Sequence, residues 1–494
     1  MYASSVGDTS KAIYNPFSQA ISKGEENPVQ RDTVRIGDQD PAPPPQMPPN
    51  RPPVPEPPNT PPEPPAPEPP PNNTPPEPPA PEPPPPPEPP KTKWTVLMYL
   101  AGDNNLEDAL VQNVIDAEKV GSGPTMNVLV QLDRGPRPSG MSGAWPNARR
   151  FFIQKDNDDK NINSPVLEDL GKVNMSDPKV FADFIEWGIK NYPSENVMVI
   201  MGDHGAGWEG GMANDSSGGD MSLPQMREGL ALAQERTGKK VDILGFDACL
   251  MAMTEVGYEL KDNVGYMIAA QETEGAYGWH YGEVFSEKML GELKKLTEKK
   301  LNVSPSEFAK KAVDTASHHQ NVLPTLSAAD LGKMGEVRDA FNQFADTLEA
   351  ASGSDKGQVK SILRKAKGFA YSSYKDTIDV FSKIAQEQKI ENVDLKAKAQ
   401  AVVDATQTSI IANESSPRYS YAHGLSIYAP TYGTSSGYGK IAFAQDSKWD
   451  ESLKTVSSAS EPKDPNEPAT TYSFPEDNPW WNNNMYGDFG YVGG

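Results

Sequence analysis

The stretch Trp94-Thr-Val-Leu-Met-Tyr-Leu-Ala101 decides the fold. It is a continuous apolar run of strand length, and the turn-forming Gly102-Asp-Asn-Asn105 follows it at once. A strand that is apolar on both faces is typical of a parallel sheet covered by helices on both sides. Helical spacing over residues 106–120 and a second apolar run at 127–132 predict the next helix and strand.

The same alternation of apolar strands and helices continues along the chain. Further strands are predicted at residues 149–154, 196–201, 241–246, 265–270 and 424–429, with a short one near 326. Helices are predicted at residues 178–189, 223–236 and 251–260, through most of 304–413, and from 449. This alternation predicts an α/β fold, a three-layer α/β/α sandwich with a mostly parallel central sheet.

The two ends of the chain differ in composition from this globular part. Residues 1–92 are predicted to be a disordered N-terminal region, and residues 41–91 hold most of the 50 prolines. Proline lacks a backbone donor, so this Pro/Glu tract is expected to be an extended spacer; a docking ligand for an aromatic groove is the alternative. Residues 93–456 form the predicted globular domain, and residues 457–494 a polar, then Asn/Gly/aromatic-rich tail.

Charge and hydropathy exclude some classes of partner. The formal net charge is −22 and the pI is about 4.7, so an acidic surface disfavours nucleic acid. No apolar run approaches the roughly 18 residues expected of a membrane helix, so we expect no transmembrane segment. The first 23 residues lack the apolar centre of a secretory signal, and localisation stays open.

Cys249 is the sole cysteine of the chain. Because the chain has no second thiol, an intrachain disulfide and a multi-cysteine zinc site are excluded. The histidines offer no close ligand pair except His318 and His319, whose side chains would point apart on a helix. We therefore expect no metal among the site residues.

His204 and Cys249 each follow an apolar strand, 45 residues apart. One βαβ crossover fills that interval, which places both residues at neighbouring strand ends on the carboxyl edge of the sheet. An imidazole there can take the proton of the thiol and pass it to a leaving amine. A lone cysteine is often only a small buried apolar residue, so on the residues alone a catalytic pair and two packed side chains stay equally open.

The surroundings of the pair suit acyl transfer. The predicted helix after Cys249 would present amides that lower the pKa of the thiol. Those amides, together with the backbone N–H near Gly205, would stabilise an oxyanion. The glycine at position 205 would also let a substrate backbone approach closely.

Several segments resemble the clostripain family of cysteine peptidases, family C11 of the caspase-like clan. They are residues 94–107, Gly202-Asp-His-Gly-Ala-Gly-Trp208, Phe246-Asp-Ala-Cys-Leu-Met251, residues 270–274 and residues 424–428. The resemblance implies a caspase-like fold and a Cys–His dyad that cleaves after Arg or Lys through a thioester acyl-enzyme. It assigns His204 as the base and Cys249 as the nucleophile.

The resemblance also places Asp247 at the acidic position of the pocket for the P1 side chain. An Asp there would bind a guanidinium by two hydrogen bonds or an ammonium as a single charge, and capping of the following helix is the alternative role. A further acid is expected in the loop after the fifth strand, where Tyr277 cannot supply the charge. Self-cleavage between the His and Cys segments is common in the family, yet no Lys or Arg lies between His204 and Arg227. The remaining basic candidates are Arg236, Lys239 and Lys240.

The expected partners are polypeptide substrates, and we expect a monomer. No cofactor is required for the chemistry; calcium dependence is known in the family, but the sequence does not predict a site. Residues 156–159 lack the glycine and the closing Glu of an EF-hand loop, and we interpret them as a turn. A secreted or cell-surface location is favoured by the resemblance alone. The competing hypothesis is a catalytically silent caspase-like module for binding or surface display.

Overall fold

A computed structural model describes residues 92–216, 218–276, 278–279, 281, 295, 298, 303–316 and 323–461. The predicted N-terminal region with its spacer and the tail from residue 462 lie outside the described residues. The side chains of Tyr277, His280, His318 and His319 also lie outside them.

The described strands form one large sheet and two small ones. In chain order they are β1 (Thr92–Gly102), β2 (Met126–Arg134), β3 (Ala148–Phe152), β4 (Val166–Gly171), β5 (Ser194–Gly202), β6 (Met212–Asp215), β7 (Gly219–Met221), β8 (Val241–Asp247), β9 (Val264–Ala269), β10 (Thr325–Asp330), β11 (Tyr374–Asp376), β12 (Ile410–Ser415) and β13 (Ser426–Tyr428). The large sheet has nine strands in the order β12-β10-β9-β8-β5-β1-β2-β3-β4.

The large sheet is parallel at its centre and antiparallel at both edges. The neighbours among β9, β8, β5, β1 and β2 all pair in parallel. The outer pairs on either side are antiparallel. The predicted parallel core is thus confirmed within a mixed sheet, and the edge strands β4 and β12 were not predicted.

Helices cover both faces of the large sheet. They are α1 (Glu107–Glu118), α2 (Pro178–Asn191), α3 (Leu223–Thr237), α4 (Thr254–Leu260), α5 (Pro305–Ala316), α6 (Met334–Ala350), α7 (Gly353–Lys365), α8 (Thr377–Gln386), α9 (Val393–Ser409), α10 (Ala442–Asp446) and α11 (Trp449–Ser458). No described helix has the length and apolar character needed to cross a bilayer.

The alternation of side chains along β1 separates the two cores. Val96 and Met98 pack with α1 and α5 in one buried cluster. Leu97 and Tyr99 pack with α2, α3 and α6 in the other. Because successive side chains of a strand point to opposite faces, an entirely apolar strand serves both layers. The predicted three-layer α/β/α sandwich is confirmed.

The pairing of β5 with β8 positions the candidate site. The two strands are parallel neighbours, and Gly202 at the end of β5 lies opposite Asp247 at the end of β8. One residue further along, the backbone N–H of Asp203 donates to the carbonyl oxygen of Asp247 at 3.3 Å. The residues that follow the two strands therefore leave the same edge of the sheet side by side.

Candidate active site

His204 and Cys249 lie on these two neighbouring segments, as the crossover argument predicts. Gly205 shows how closely the segments approach each other. A Cβ atom at this position would lie 2.3 Å from the carbonyl oxygen of Cys249 and 3.2 Å from its backbone nitrogen. Only glycine fits such an approach, which explains the residue type at position 205.

The ring of His204 is held by Asn105. The Nε2 atom of His204 lies 2.7 Å from the Oδ1 atom of Asn105, which sits in the turn after β1. With that oxygen as acceptor, the neutral ring carries its proton on Nε2 and keeps a lone pair on Nδ1. Burial lowers the pKa of His204, although Asp220 acts in the opposite direction. A neutral ring of this kind can accept a proton.

The thiol of Cys249 contacts the backbone of Glu274. The Glu274 N–H donates to Sγ at 3.4 Å, and Sγ lies 3.9 Å from the Glu274 carbonyl oxygen. Burial raises the pKa of the thiol to about 12, and nearby carboxylates of Glu274, Glu272 and Asp247 add to the effect. In this state the thiol is protonated, so the prediction of a lowered thiol pKa is wrong.

The amides after Cys249 are also arranged differently from the prediction. Leu250 has a φ of 68°, a left-handed conformation that a leucine rarely adopts. Its N–H donates to the carbonyl oxygen of Glu272 at 3.2 Å, and that of Ala252 donates to Ala270 at 2.9 Å. Helix α4 begins only at Thr254, and the predicted helix start directly after Cys249 is therefore wrong.

Two backbone donors remain beside the thiol. Within the described part of the chain, no hydrogen-bond acceptor is found for the N–H of Gly205 or of Cys249. Their segments touch, because Gly205 packs against the backbone of Cys249. Two adjacent N–H groups without protein acceptors can bind an oxyanion.

Asp247 is a buried carboxylate two residues before the thiol. Its Oδ1 accepts a hydrogen bond from the Trp279 N–H at 2.9 Å, and its Oδ2 from Asn113 Nδ2 at 3.3 Å. It caps no helix, because α4 begins seven residues later. Burial raises the pKa of Asp247 to about 7, although Glu274, Trp279 and Tyr281 counteract the rise.

Glu274 supplies a second acid next to Asp247. Both of its carboxyl oxygens are buried without a hydrogen bond of normal geometry. Burial and then the charge of Asp247 raise the pKa of Glu274 well above its usual range. Two such acids share a proton at neutral pH, since like charges at close range cannot both ionise in a buried site.

The resemblance places a second acid at the position of Tyr277 and gives no role to Glu274. Glu274 is the last residue of the family-like segment 270–274, and this is the only signal for it in the sequence. Gly278 permits the arrangement: a Cβ there would lie 1.9 Å from Asp247 Oδ1, and its φ is +50°. The loop can therefore fold directly over the Asp247 carboxylate. Asn105 was missed as well, although the turn that contains it was noted.

Metal ligands are sparse among the described residues. The turn at residues 156–159 uses its carboxylates internally, because Asp156 accepts the N–H of Asp158 at 2.7 Å and Asp158 that of Lys160 at 2.8 Å. One group of three acids, Asp103, Asp133 and Asp215, brings an oxygen of each within 4.8 Å of the others. Ca²⁺ takes about six to eight oxygen ligands, so three carboxylates alone do not define a calcium site.

A caspase-like sandwich with its cysteine at the carboxyl edge, beside a histidine on the next strand end, defines a class of cysteine peptidases. Comparison with known proteins places the chain in that class. Residues 98–455 match the sequence profile of the clostripain family. This chain belongs to the clostripain family, and it is a cysteine-type peptidase.

Individual relatives agree with this assignment. The chain is 27% identical over 441 residues to clostripain from Hathewaya histolytica, which covers 74% of this chain and 80% of that protein. A secreted C11 cysteine protease from Bacteroides thetaiotaomicron, solved with an irreversible peptide inhibitor, superposes with a TM-score of 0.53 at 19% identity, covering 73% of this chain and 100% of that one. An inactive zymogen C11 protease from Parabacteroides distasonis gives a TM-score of 0.52 at 20% identity, covering 72% and 99%. At these identities the structural similarity shows the fold.

Proposed function

We propose that this peptidase cleaves polypeptides after Arg or Lys, with Cys249 as the nucleophile and His204 as the base. The observation that carries the specificity is the buried acid pair Asp247 and Glu274 beside the thiol. Family membership establishes the class of the reaction. The pair of acids supports the preference for a basic P1 side chain.

A basic P1 side chain would supply the positive charge that this acidic pocket lacks. The oxygens of Glu274 are buried and make no hydrogen bond of normal geometry, which is costly for a carboxyl group. A guanidinium or ammonium placed between the two acids would supply donors and favour the loss of their shared proton. An apolar or acidic P1 side chain would leave the carboxyls unsatisfied or repel them. Arg and Lys are therefore the substrates that this pocket favours.

The proposed acylation step uses the two side chains together. Cys249 Sγ attacks the carbonyl carbon of the scissile bond while its proton passes to Nδ1 of His204. The carbonyl oxygen gains negative charge, which the N–H groups of Gly205 and Cys249 would stabilise. The C–N bond then breaks, the amine leaves with the proton from His204, and a thioester remains on Cys249. Water activated by His204 hydrolyses this thioester and restores the thiol.

The resting site holds a neutral thiol and a neutral imidazole rather than an ion pair. The high pKa of Cys249 and the low pKa of His204 both favour the neutral forms. A cationic P1 side chain would offset the carboxylates that contribute to the high thiol pKa. Substrate binding and proton transfer to His204 would then act together.

Covalent trapping tests the proposal. The protein is treated with two peptidyl chloromethyl ketones that differ only in Arg or Leu at P1, and the labelled residue is mapped by mass spectrometry. We expect labelling of Cys249, faster for Arg, slowed strongly in His204→Ala and abolished in Cys249→Ala. Absence of labelling by either reagent would favour the silent module, and equal rates would contradict the basic pocket.

A further inference from the structure

An open cleft lies at the same edge of the sheet as the thiol. Its volume is about 530 Å³, and segments that follow β9, α7 and β12 line it with Glu272, Lys367, Phe369, Arg418, Tyr419 and Tyr421. Because β9 and β12 both pair antiparallel with β10, they run in the same direction. The residues that follow β12 therefore leave the sheet at the edge where Cys249 and Glu272 also lie.

The order of the strands puts this cleft on the acyl side of the scissile bond. Strand β8 lies between β5 and β9, and His204, Cys249 and Glu272 follow β5, β8 and β9 respectively. In the proposed mechanism His204 gives a proton to the leaving amine, so the leaving half of the substrate lies on the β5 side of the thiol. The residues before P1 would extend the other way, toward β9 and the cleft. This step rests on the proposed function.

Hydrogen bonds join the cleft to the backbone around the thiol. The N–H of Leu250 donates to the carbonyl oxygen of Glu272 at 3.2 Å, and the N–H of Ala370 donates to Glu272 Oε1 at 3.1 Å. Tyr371, the next residue, is exposed. Burial of its hydroxyl and, to a smaller extent, nearby negative groups that include Cys249 raise the pKa of Tyr371. The cleft and the thiol therefore belong to one continuous surface.

Two cations border the cleft without a carboxylate partner. Lys367 and Arg418 are exposed, and among the residues that the structure describes neither forms an ion pair. Lys367 Nζ lies 5.0 Å from the centre of the Tyr421 ring, and Arg418 Cζ lies 5.8 Å from that of Tyr419. Such cation–π contacts orient the two side chains. The one acid of the cleft, Glu272, already accepts N–H groups of the backbone. The cleft therefore offers two positive charges on a protein whose net charge is −22.

The aromatic lining of the cleft is held in place by the fold. The hydroxyl of Tyr421 donates to the carbonyl oxygen of Gly368 at 3.1 Å, and its ring stacks on Phe369 with the ring centres 5.5 Å apart. The N–H of Phe369 donates to the carbonyl oxygen of Tyr374 at 3.0 Å. The ring of Tyr419 lies 6.0 Å from that of Tyr421. A preformed surface of this kind costs little ordering when a peptide binds.

We propose that this cleft is a second specificity site, which selects an acidic side chain among the P2, P3 and P4 residues of the substrate, with Lys367 and Arg418 as the specificity-determining residues. A carboxylate in the cleft would form charge-assisted hydrogen bonds with both cations. The faces of Tyr419 and Tyr421 would contact the aliphatic stem of the same side chain. The preferred substrate would then carry an acid shortly before a basic P1 residue.

Peptide binding to the full chain with Cys249→Ala tests the cleft without requiring cleavage. Fluorescein-labelled peptides carry Arg or Leu at P1 and Glu, Gln or Lys at one of P2, P3 and P4, and fluorescence anisotropy gives each Kd. Exposed ion pairs are modest in strength, so we expect Glu at one of these positions to bind about threefold to tenfold more tightly than Gln, with Lys weakest. High salt should reduce the difference. Equal affinities at all three positions, or no binding of any peptide, would overturn the second site. The comparison of Arg with Leu at P1 reports separately on the proposed P1 pocket.

Charge reversal assigns the preference to the two cations. With Lys367→Glu and Arg418→Glu together, Lys at the selected position should bind more tightly than Glu. Both side chains are exposed, so the melting temperature should stay close to that of the parent. The matched control is Lys365→Glu, at the exposed end of α7 and outside the cleft, which should keep the preference for Glu. A preference for Glu that survives in the double variant, or that is lost equally in Lys365→Glu, would overturn the role of Lys367 and Arg418.

Discussion

At the residue scale, the acid pair beside Cys249 supports the proposed specificity and contributes to the raised pKa of the thiol. Asp247 is held by Trp279 and Asn113, whereas the Glu274 oxygens are buried without a hydrogen bond of normal geometry. Glu274 also holds the thiol through its backbone. One residue therefore contacts the Cys249 thiol and contributes a carboxyl to the proposed P1 pocket, which makes it the most informative site for mutation.

Glu274→Gln should weaken the preference for basic P1 residues. A hydrogen bond to a charged partner contributes about 1.5–3 kcal/mol, so we expect kcat/KM for an Arg substrate to fall about tenfold to a hundredfold. A Leu substrate should lose nothing. The control is Asp242→Asn, near the start of β8, the strand that ends at Asp247; there Asp242 accepts the Val197 N–H at 2.8 Å. Equal losses for Arg and Leu would show that Glu274 is not part of the P1 pocket.

Asn105 should act as a positioning residue for His204. In Asn105→Ala the ring loses its acceptor at 2.7 Å, and we expect kcat to fall more than about tenfold, a share of the roughly 10²–10⁴ that a positioned base supplies. Asn105→Asp should keep the acceptor and restore much of the rate. Its carboxylate favours the charged ring, so the acid limb of the pH–rate profile should move to higher pH. Full activity in Asn105→Ala would contradict the positioning role of Asn105.

At the scale of elements, the sequence predicts what lies in the interior and misses what lies at the edges. The continuous apolar runs of β1, β2, β5 and β8 are buried on both faces, and this pattern identifies a central parallel strand. The edge strand β4 is largely exposed, and β12 is only partly buried, so neither carries a strong apolar signal.

In the candidate site, too, the sequence predicts some features and misses others. Strand order and spacing bring His204 and Cys249 to one edge, because a crossover connects neighbouring strands. The left-handed Leu250 delays the helix after Cys249, and no propensity argument foresees such a conformation at a leucine. Glu274 reaches Asp247 only through the tertiary fold of its loop.

The segment between His204 and Cys249 should remain uncut during autoprocessing. Arg227 and Arg236 lie in α3, and Lys239 and Lys240 lie in the short connection between α3 and β8. Arg227 pairs with the buried Glu259 at 2.8 Å, and Lys239 Nζ donates to the carbonyl oxygen of Ser194 at 2.8 Å, so both side chains are engaged. We expect the active protein to show no cleavage in this segment by intact-mass analysis, with Cys249→Ala as the reference. Fragments ending at Arg236, Lys239 or Lys240 in the wild type alone would contradict this expectation.

At the scale of the whole molecule, buried acids and a net charge of −22 determine how stability depends on pH. Burial raises the pKa of Glu255 to about 7, like that of Asp247, and one Glu255 oxygen has no partner. Between pH 4 and 7 these groups hold protons in the folded chain that they release on unfolding. The folded state therefore binds more protons, and its stability falls as pH rises through this range.

We expect a higher melting temperature at pH 5.5 than at pH 8, measured by differential scanning calorimetry at constant ionic strength. Glu255→Gln cannot ionise and should show a shallower dependence. Its amide can still accept from Tyr438, whose hydroxyl lies 2.9 Å from the Glu255 carboxylate. A melting temperature that rises from pH 5.5 to 8 would contradict this account of the buried acids.

The most direct test of the central claim is the kcat/KM of the wild-type chain for four fluorogenic peptides that differ only in Arg, Lys, Asp or Leu at P1. Each is measured beside Cys249→Ala. We expect cleavage after Arg and Lys at rates far above those for Asp and Leu, and none by the variant. Cleavage that is equal for all four peptides, or that survives loss of the thiol, would contradict a Cys249 peptidase with an acidic P1 pocket.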